Sequence, residues 1–287
     1  MSDLILDRVQ APLRRQRRIN LPPVGASLAL LFLAALLLAA LFPQLFTHVD
    51  PLAIVPRDAF QAPSWAHWLG TDQSGRDIFA RIIHGARQSL LIGIAATALS
   101  MTIAISLGLL GGLGGARVDR AVGWLLEVLF AFPSLILALL FVAVFGSGVG
   151  TLIVATGLGG APGYGRMVRG QVLAVRNAGY IEAARALGHP TSRIVLRQLL
   201  PNAMRPLVVT MTMGVGQAIV WASALSFLGL GARPPAPEWG TMLSMGRDFI
   251  ASAWWLTFFP GLFIVLTTLA TTVTGRFIQQ RLEGRQA

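Results

Sequence analysis

Residues 128–165 read VLFAFPSLILALLFVAVFGSGVGTLIVATGLGGAPGYG, thirty-eight positions without a charged side chain. About 20 apolar residues cross a bilayer as a helix, so the run is too long for one span. Gly146-Ser147-Gly148-Val149-Gly150 in its middle is a flexible turn that divides it into two helices. Working outward, uncharged stretches also cover 19–49, 89–116, 206–232 and 249–275. Each is long enough for one span. The predicted fold is therefore an all-α polytopic membrane protein with six transmembrane helices, near 25–46, 88–111, 121–145, from the glycine turn to 165, 206–228 and 254–275.

Composition agrees. Of the 287 residues, 54% are hydrophobic and 12% charged, and the mean hydropathy is +0.67. A soluble chain carries about 25% charged residues. All 23 basic residues are Arg, and their distribution orients the chain. With the N-terminus inside, the inner segments hold five Arg in 1–25, two in 116–120, seven in 166–205 and three in 276–287. The outer segments hold Arg57, Arg76, Arg81, Arg87, Arg233 and Arg247. This asymmetry predicts N-in, C-in. The formal charge of +11 is then a topology signal, and no nucleic-acid partner is needed to account for it.

The predicted organisation is a cytoplasmic basic arm, 1–24, the first span, 25–46, and a periplasmic segment, 47–87. A core transmembrane domain, 88–276, follows, with a cytoplasmic loop at 166–205 and a periplasmic loop at 231–252. Residues 277–287 form a cytoplasmic tail. The first run lacks an early small-x-small cleavage pattern, so it is expected to be a retained span rather than a removed signal peptide. Trp65 and Trp68 suit an interfacial position, and the glycines of 108–115 suit close helix packing in lipid.

Catalytic chemistry is sparse. There is no Cys, so a thiol nucleophile and a Cys-ligated metal are excluded. The four His, 48, 67, 84 and 189, are far apart, with no metal-ligand spacing and no Ser-His-Asp set; no metal site is predicted. Gly163-Tyr164-Gly165 begins like a dinucleotide signature, but Val168 stands where the third Gly belongs. A phosphate loop needs a Lys, and this chain has none. If ATP is used, another polypeptide binds it. Glu127 is the one carboxylate inside a predicted span. Pairing with Arg117 or Arg120 near the cytoplasmic end is the first expectation, and a proton- or substrate-coupling role the second.

The cytoplasmic loop is strongly punctuated. Arg166, Arg169 and Arg176 recur at helical spacing. Asn177-Ala178-Gly179 interrupts, a second helix is expected over 180–187, Gly188-His189-Pro190-Thr191 interrupts again, and a third helix over 192–200 is expected to be closed by Pro201. The second helix carries Glu182-Ala183-Ala184-Arg185. Its small-sided Ala183-Ala184 surface suits a groove on a partner, with Glu182 and Arg185 at the edges and Gly188 as a flexible joint.

These residues resemble the Glu-Ala-Ala loop of ATP-binding-cassette importer permeases. Glu182, Ala183, Ala184, Gly188, Leu200 and Pro201 stand at that family's spacing, while Gln198 departs from it. Further motifs resemble the second, C-type permease of the dipeptide, oligopeptide and nickel group: Leu69-Gly70-Thr71-Asp72, Gly75-Arg76-Asp77, Arg81, Gly85-Ala86-Arg87, Phe132-Pro133-Ser134 preceded by Glu127, Pro237-Glu238-Trp239-Gly240 and Trp254-Trp255. The likeness covers about 64–275. The tail, Thr274-Gly275-Arg276-Phe277, departs from the group's usual ending.

The resemblance implies a type I importer permease fold in the bacterial inner membrane. It implies a heterodimer with a homologous permease, one or two ATPase subunits that bind ATP and Mg, and an extracytoplasmic substrate-binding protein. This chain itself is expected to hold no cofactor and to catalyse no reaction. Glu182, Ala183, Ala184, Arg185, Gly188, Leu200 and Pro201 are the expected ATPase-coupling residues. Asp72, Arg76, Asp77, Glu238 and Trp239 are expected at the periplasmic gate or the binding-protein contact. Peptides rank first as cargo and nickel or a metal–chelator complex second. An ion-coupled carrier and an intramembrane enzyme remain as other classes, though a single intramembrane acid speaks against the former.

Overall fold

A computed structural model describes residues 23–282. Almost all of the predicted basic arm, and residues 283–287 of the tail, lie outside the described residues. The helices are α1 (Val24–Leu41), α2 (Ile78–Leu113), α3 (Ala116–Ala131), α4 (Ser134–Phe145) and α5 (Val149–Arg176). Then come α6 (Gly179–Ala186), α7 (Thr191–Ile194), α8 (Leu200–Phe227), α9 (Trp239–Gly246) and α10 (Trp255–Leu282). Among the described residues, four helical segments are long and apolar enough to cross a membrane: Val24–Leu41, Ile78–Leu113, Thr191–Phe227 and Trp255–Leu282. The pair α3 and α4 makes a fifth when counted as one bent span. The predicted fourth span is the apolar half of α5, where repeated glycines dilute the hydrophobic side chains.

The molecule is built around α2. On one side, Gly108 and Gly112 let Val168 and Val172 of α5 approach the α2 backbone; a Cβ at Gly108 would lie 2.5 Å from Val168. This is the close packing expected of the glycine run. On the other side, Ile82 and Ile78 share a core with Leu36 of α1, Ile219 of α8 and Leu256 and Ile264 of α10. A second core joins α5 to α6, α7 and α8 through Val172, Ile181, Ile194 and Leu207.

Four boundaries differ from the sequence reading, each for a local reason. First, α2 begins at Ile78 rather than near 88, because Asp77 caps it: the carboxylate accepts the Ala80 N–H at 2.8 Å. Second, the predicted third span is broken. Pro133 forces Phe132 into an extended conformation (φ −76°, ψ 126°), and α3 and α4 meet at 85°. Third, α5 runs unbroken from Val149 through the Arg166–Arg176 segment, so the expected amphipathic helix is its second half.

Fourth, Pro201 does not close a helix. It stands in the first turn of α8, and Val195–Leu199 forms a π-helical turn that joins α7 to α8 without interruption. Pro201 has no N–H for the carbonyl four residues back, and its ring crowds that carbonyl. Widening the preceding turn relieves the clash. The Leu200 N–H accordingly reaches back to Val195 O, and the Asn202 side-chain amide donates to Gln198 O at 2.6 Å.

Candidate substrate path and coupling segment

The segment expected to couple to an ATPase is α6 with the turn after it. Ile181 and Ala184 face inward, 0% and 4% exposed, and pack in the core shared with Val172, Ile194 and Leu199. Glu182, Ala183, Arg185 and Ala186 face outward. The expected Ala183-Ala184 docking surface is therefore divided: Ala183 is exposed, while Ala184 seats the helix on its own chain. Helical spacing places i and i+3 on one face, so Ile181 and Ala184 take one side and Glu182 and Arg185 the other. Leu187, exposed at the helix end, adds an apolar side chain to the outer surface.

Gly188 ends this helix with φ +76°. Its N–H donates to Arg185 O at 2.9 Å and the His189 N–H to Ala184 O at 3.2 Å. A Cβ here would meet nothing within 4 Å, so glycine is needed for the left-handed backbone rather than for space. Leu200 is half-buried and Pro201 exposed, both in the first turn of α8. One side of α6 thus leads, through Ile194, straight into a long helix.

The same end is braced by two arginines of α5. Arg169 donates to both Asp119 oxygens, at 2.6 and 2.9 Å. The guanidinium holds the Asp119 carboxyl below the usual carboxylate range. Arg176 donates to Gly112 O at 2.9 Å, at the C-terminal end of α2 where carbonyls lack intrahelical donors. The pairing expected of Glu127 with Arg117 or Arg120 is not formed among the described residues. Glu127 is exposed, two turns of α3 beyond Arg120, and the ion-paired acid of that helix is Asp119.

A groove of about 480 Å³ opens where α3 and α4 break apart, with walls from α2, α5 and α8. That volume falls in the ordinary range of small-molecule sites. Its rim is aromatic, with Phe130, Phe132, Tyr164 and Trp221, and its floor carries Gly159, Gly160, Gly163 and Gly214. Among the described residues, no charged side chain lines it. The Arg166 guanidinium stacks 3.7 Å from the ring centre of Phe130, one of the lining residues. The sequence did not mark the lining residues as a path, because the groove is made by the Pro133 bend. The Phe132-Pro133 dipeptide was the one available signal.

The opposite end is a cap formed by residues 43–77, α9 and the turns around it. All five residues expected at an external gate or contact are buried, 8% exposed or less. Glu238 caps α9, accepting the Gly240 and Thr241 N–H groups at 2.8 Å and the Thr241 hydroxyl at 2.9 Å. Trp239 is fully buried and donates its indole N–H to Ile82 O at 3.1 Å, while its backbone N–H donates to Ser89 Oγ. Asp72 accepts the Ser74 and Arg76 N–H groups and lies 3.4 Å from the Arg76 guanidinium and 3.9 Å from Arg81. Asp77 caps α2 and meets His67 Nδ1 at 3.0 Å. These side chains face into the cap. Trp65 and Trp68 face out.

Comparison with known proteins agrees with this architecture. Residues 100–286 match the family described as the binding-protein-dependent transport system inner membrane component. The dipeptide transport system permease protein DppC of Alkalihalophilus pseudofirmus is 39% identical over 260 residues, covering 91% of this chain and 86% of the relative. The glutathione transport system permease protein GsiD of Pectobacterium atrosepticum is 40% identical over 278 residues, covering 96% and 92%. Among solved structures, an inward-facing MetNI methionine ABC transporter chain aligns with a TM-score of 0.60 at 21% identity, over 70% of this chain and 96% of that one. That similarity concerns the fold alone. With the helical core, the family match and the two relatives in agreement, this chain belongs to the binding-protein-dependent transport system inner membrane component family, as a multi-pass permease subunit of an ABC importer.

Proposed function

We propose that this chain forms half of the path by which short peptides enter the cell, and that α6 couples the path to a separate ATPase. The observation that carries the reading is the uncharged, aromatic-rimmed groove at the α3–α4 break, open on the chain's own surface. A homologous permease facing it completes the path in a heterodimer. The arginine asymmetry supports six spans with both termini in the cytoplasm. The α6 end then faces the cytoplasm and the cap faces outward, beneath an extracytoplasmic binding protein.

ATP and Mg are held by one or two partner ATPase subunits, and this chain is a non-catalytic transport subunit. Glu182, Ala183, Arg185 and Leu187 meet the ATPase, while Gly188, Leu200 and Pro201 shape the link to α8. When the ATPases close on ATP, α6 moves as a rigid body and access to the groove switches sides. Asp72, Arg76, Asp77, Glu238 and Trp239 hold the cap in shape, so their part in gating is indirect.

Peptide cargo is supported by the relatives named for dipeptides and glutathione. The test is uptake by the complete transporter, with its binding protein, in ATP-loaded proteoliposomes. Uptake of labelled di- and tripeptides that persists with a protonophore present supports the proposal. Uptake of a nickel–chelator complex alone would redirect the cargo. Collapse of uptake with the proton gradient, while ATP remains, would mark an ion-coupled carrier. For the coupling segment, Glu182→Ala should lower ATPase copurification and uptake together; wild-type values for both would remove α6 from that role.

A further inference from the structure

Among the described residues, Gln217 is the only side-chain amide lining the groove. It lies in α8 twelve residues beyond Arg205, about 18 Å along the axis, within an apolar stretch that crosses a hydrocarbon core about 30 Å thick. Its side chain is exposed at this depth, and it makes no hydrogen bond among the described residues. An amide left without partners in an apolar medium costs several kcal/mol, so the position calls for a polar occupant.

The neighbouring polar groups are mostly committed. The Thr97 hydroxyl donates to Gly93 O at 2.8 Å and the Ser100 hydroxyl to Gly157 O at 2.5 Å. Thr156 lines the same groove, but its hydroxyl oxygen is buried and has no partner. The wall therefore offers one amide, able to donate and accept at once, together with the Tyr164 hydroxyl and the Trp221 indole N–H. Among the described residues its lining carries no charge, the Arg166 guanidinium lying on the Phe130 ring outside it.

A carboxamide is the complement of another amide. We propose that Gln217 hydrogen-bonds the backbone amide of the peptide in transit, so that this half of the path reads the peptide bond rather than the side chains or termini. The aromatic rim accepts side chains by apolar contact. Gln217 is on this account the residue that separates peptides from cargo of equal size that lacks an amide N–H. The inference rests on the peptide reading above and specifies how that cargo is recognised inside the membrane.

The test uses the complete transporter in proteoliposomes, at saturating binding protein. The probes are dialanine and trialanine, each beside its analogue with an ester in place of the amide. Wild type is expected to move the amides faster than the esters. Gln217→Leu should slow the amides roughly fivefold, the effect of one hydrogen bond, and slow the esters less, since an ester keeps the carbonyl acceptor but has no N–H to donate. The amide preference would then shrink. Gln217→Met, close to Gln in length and shape, should behave like Gln217→Leu while keeping assembly with the partner subunits intact. An unchanged amide-to-ester ratio in both variants overturns the inference. Equal slowing of amides and esters does so too, since Gln217 would then pair with the partner subunit instead. A wild-type complex that moves none of the probes overturns the peptide reading itself, and this inference with it.

Discussion

Arg169 of α5 grips Asp119 of α3 with two parallel hydrogen bonds, from Nε at 2.6 Å and Nη2 at 2.9 Å. Bidentate pairs of this kind are strong and directional, and this one fixes the helix that leads into the Pro133 break. Both side chains are under a third exposed. Arg169→Ala should cost the solubilised complex about 1 kcal/mol, read as a lower unfolding midpoint, and adding Asp119→Asn should cost little more. The Asp119 pKa is depressed by the guanidinium, so the pair's contribution is complete above the unfolded carboxyl value near 3.9. It is lost only as pH falls through the lower folded value. Between pH 5 and 8 the effect of Arg169→Ala should therefore be constant, checked by melting curves across that range.

Gly188 separates backbone geometry from space. With φ +76° and open space where a methyl would stand, only torsional strain opposes a side chain. Asn tolerates this conformation better than β-branched residues do. Gly188→Asn should retain most ATPase association and uptake, whereas Gly188→Val should lose about 1–2 kcal/mol locally and most of the coupling. Copurified ATPase per permease is the readout, and equal retention by both variants would refute the torsional account.

Glu238 and Trp239 lock α9 onto α2. Glu238→Ala removes an N-cap that satisfies two backbone N–H groups and should lower stability by about 1–2 kcal/mol. Trp239→Phe keeps an aromatic ring but drops the bond to Ile82 O, for about 1 kcal/mol. Increased protease cleavage between residues 47 and 77 in both variants would report the loosened cap.

Gly108 is a contact point, not a hinge. Gly108→Val should overpack the α2–α5 seam by about 1–3 kcal/mol and reduce folded yield, while Gly115→Ala, with open space around it, should be silent. Size-exclusion profiles of the two variants in detergent make the comparison.

The helical membrane architecture is legible because charge is excluded from long stretches, which needs no knowledge of packing. The short helix at α6 is legible for a different reason: Gly188 and the Glu182–Arg185 spacing are local signals, and the helix over Gly179–Ala186 lies within one residue of the expected 180–187. What sequence could not supply was the consequence of two prolines. Pro133 reads as an ordinary residue of a span and instead breaks it, creating the groove. Pro201 reads as a stop and instead sits inside a continuous helix, because a π turn absorbs its missing donor. Charge also misleads at the cap, where Asp72, Asp77 and Glu238 look like surface contacts and instead accept backbone N–H groups.

That continuous helix has a mechanical consequence. From Thr191 to Phe227 the chain is one rod of 37 residues, about 55 Å long. Ile194, against α6, and Gln217, in the groove, are fixed points on the same shaft. The helix is continuous but not uniform: the π turn at Val195–Leu199 and Pro206 inside α8 both lie between the two points. In the proposed cycle a displacement at Ile194 reaches Gln217 along one continuous helix, with any bending confined to those two places. The stroke that seats α6 is also the stroke that draws the amide away from the peptide it was holding.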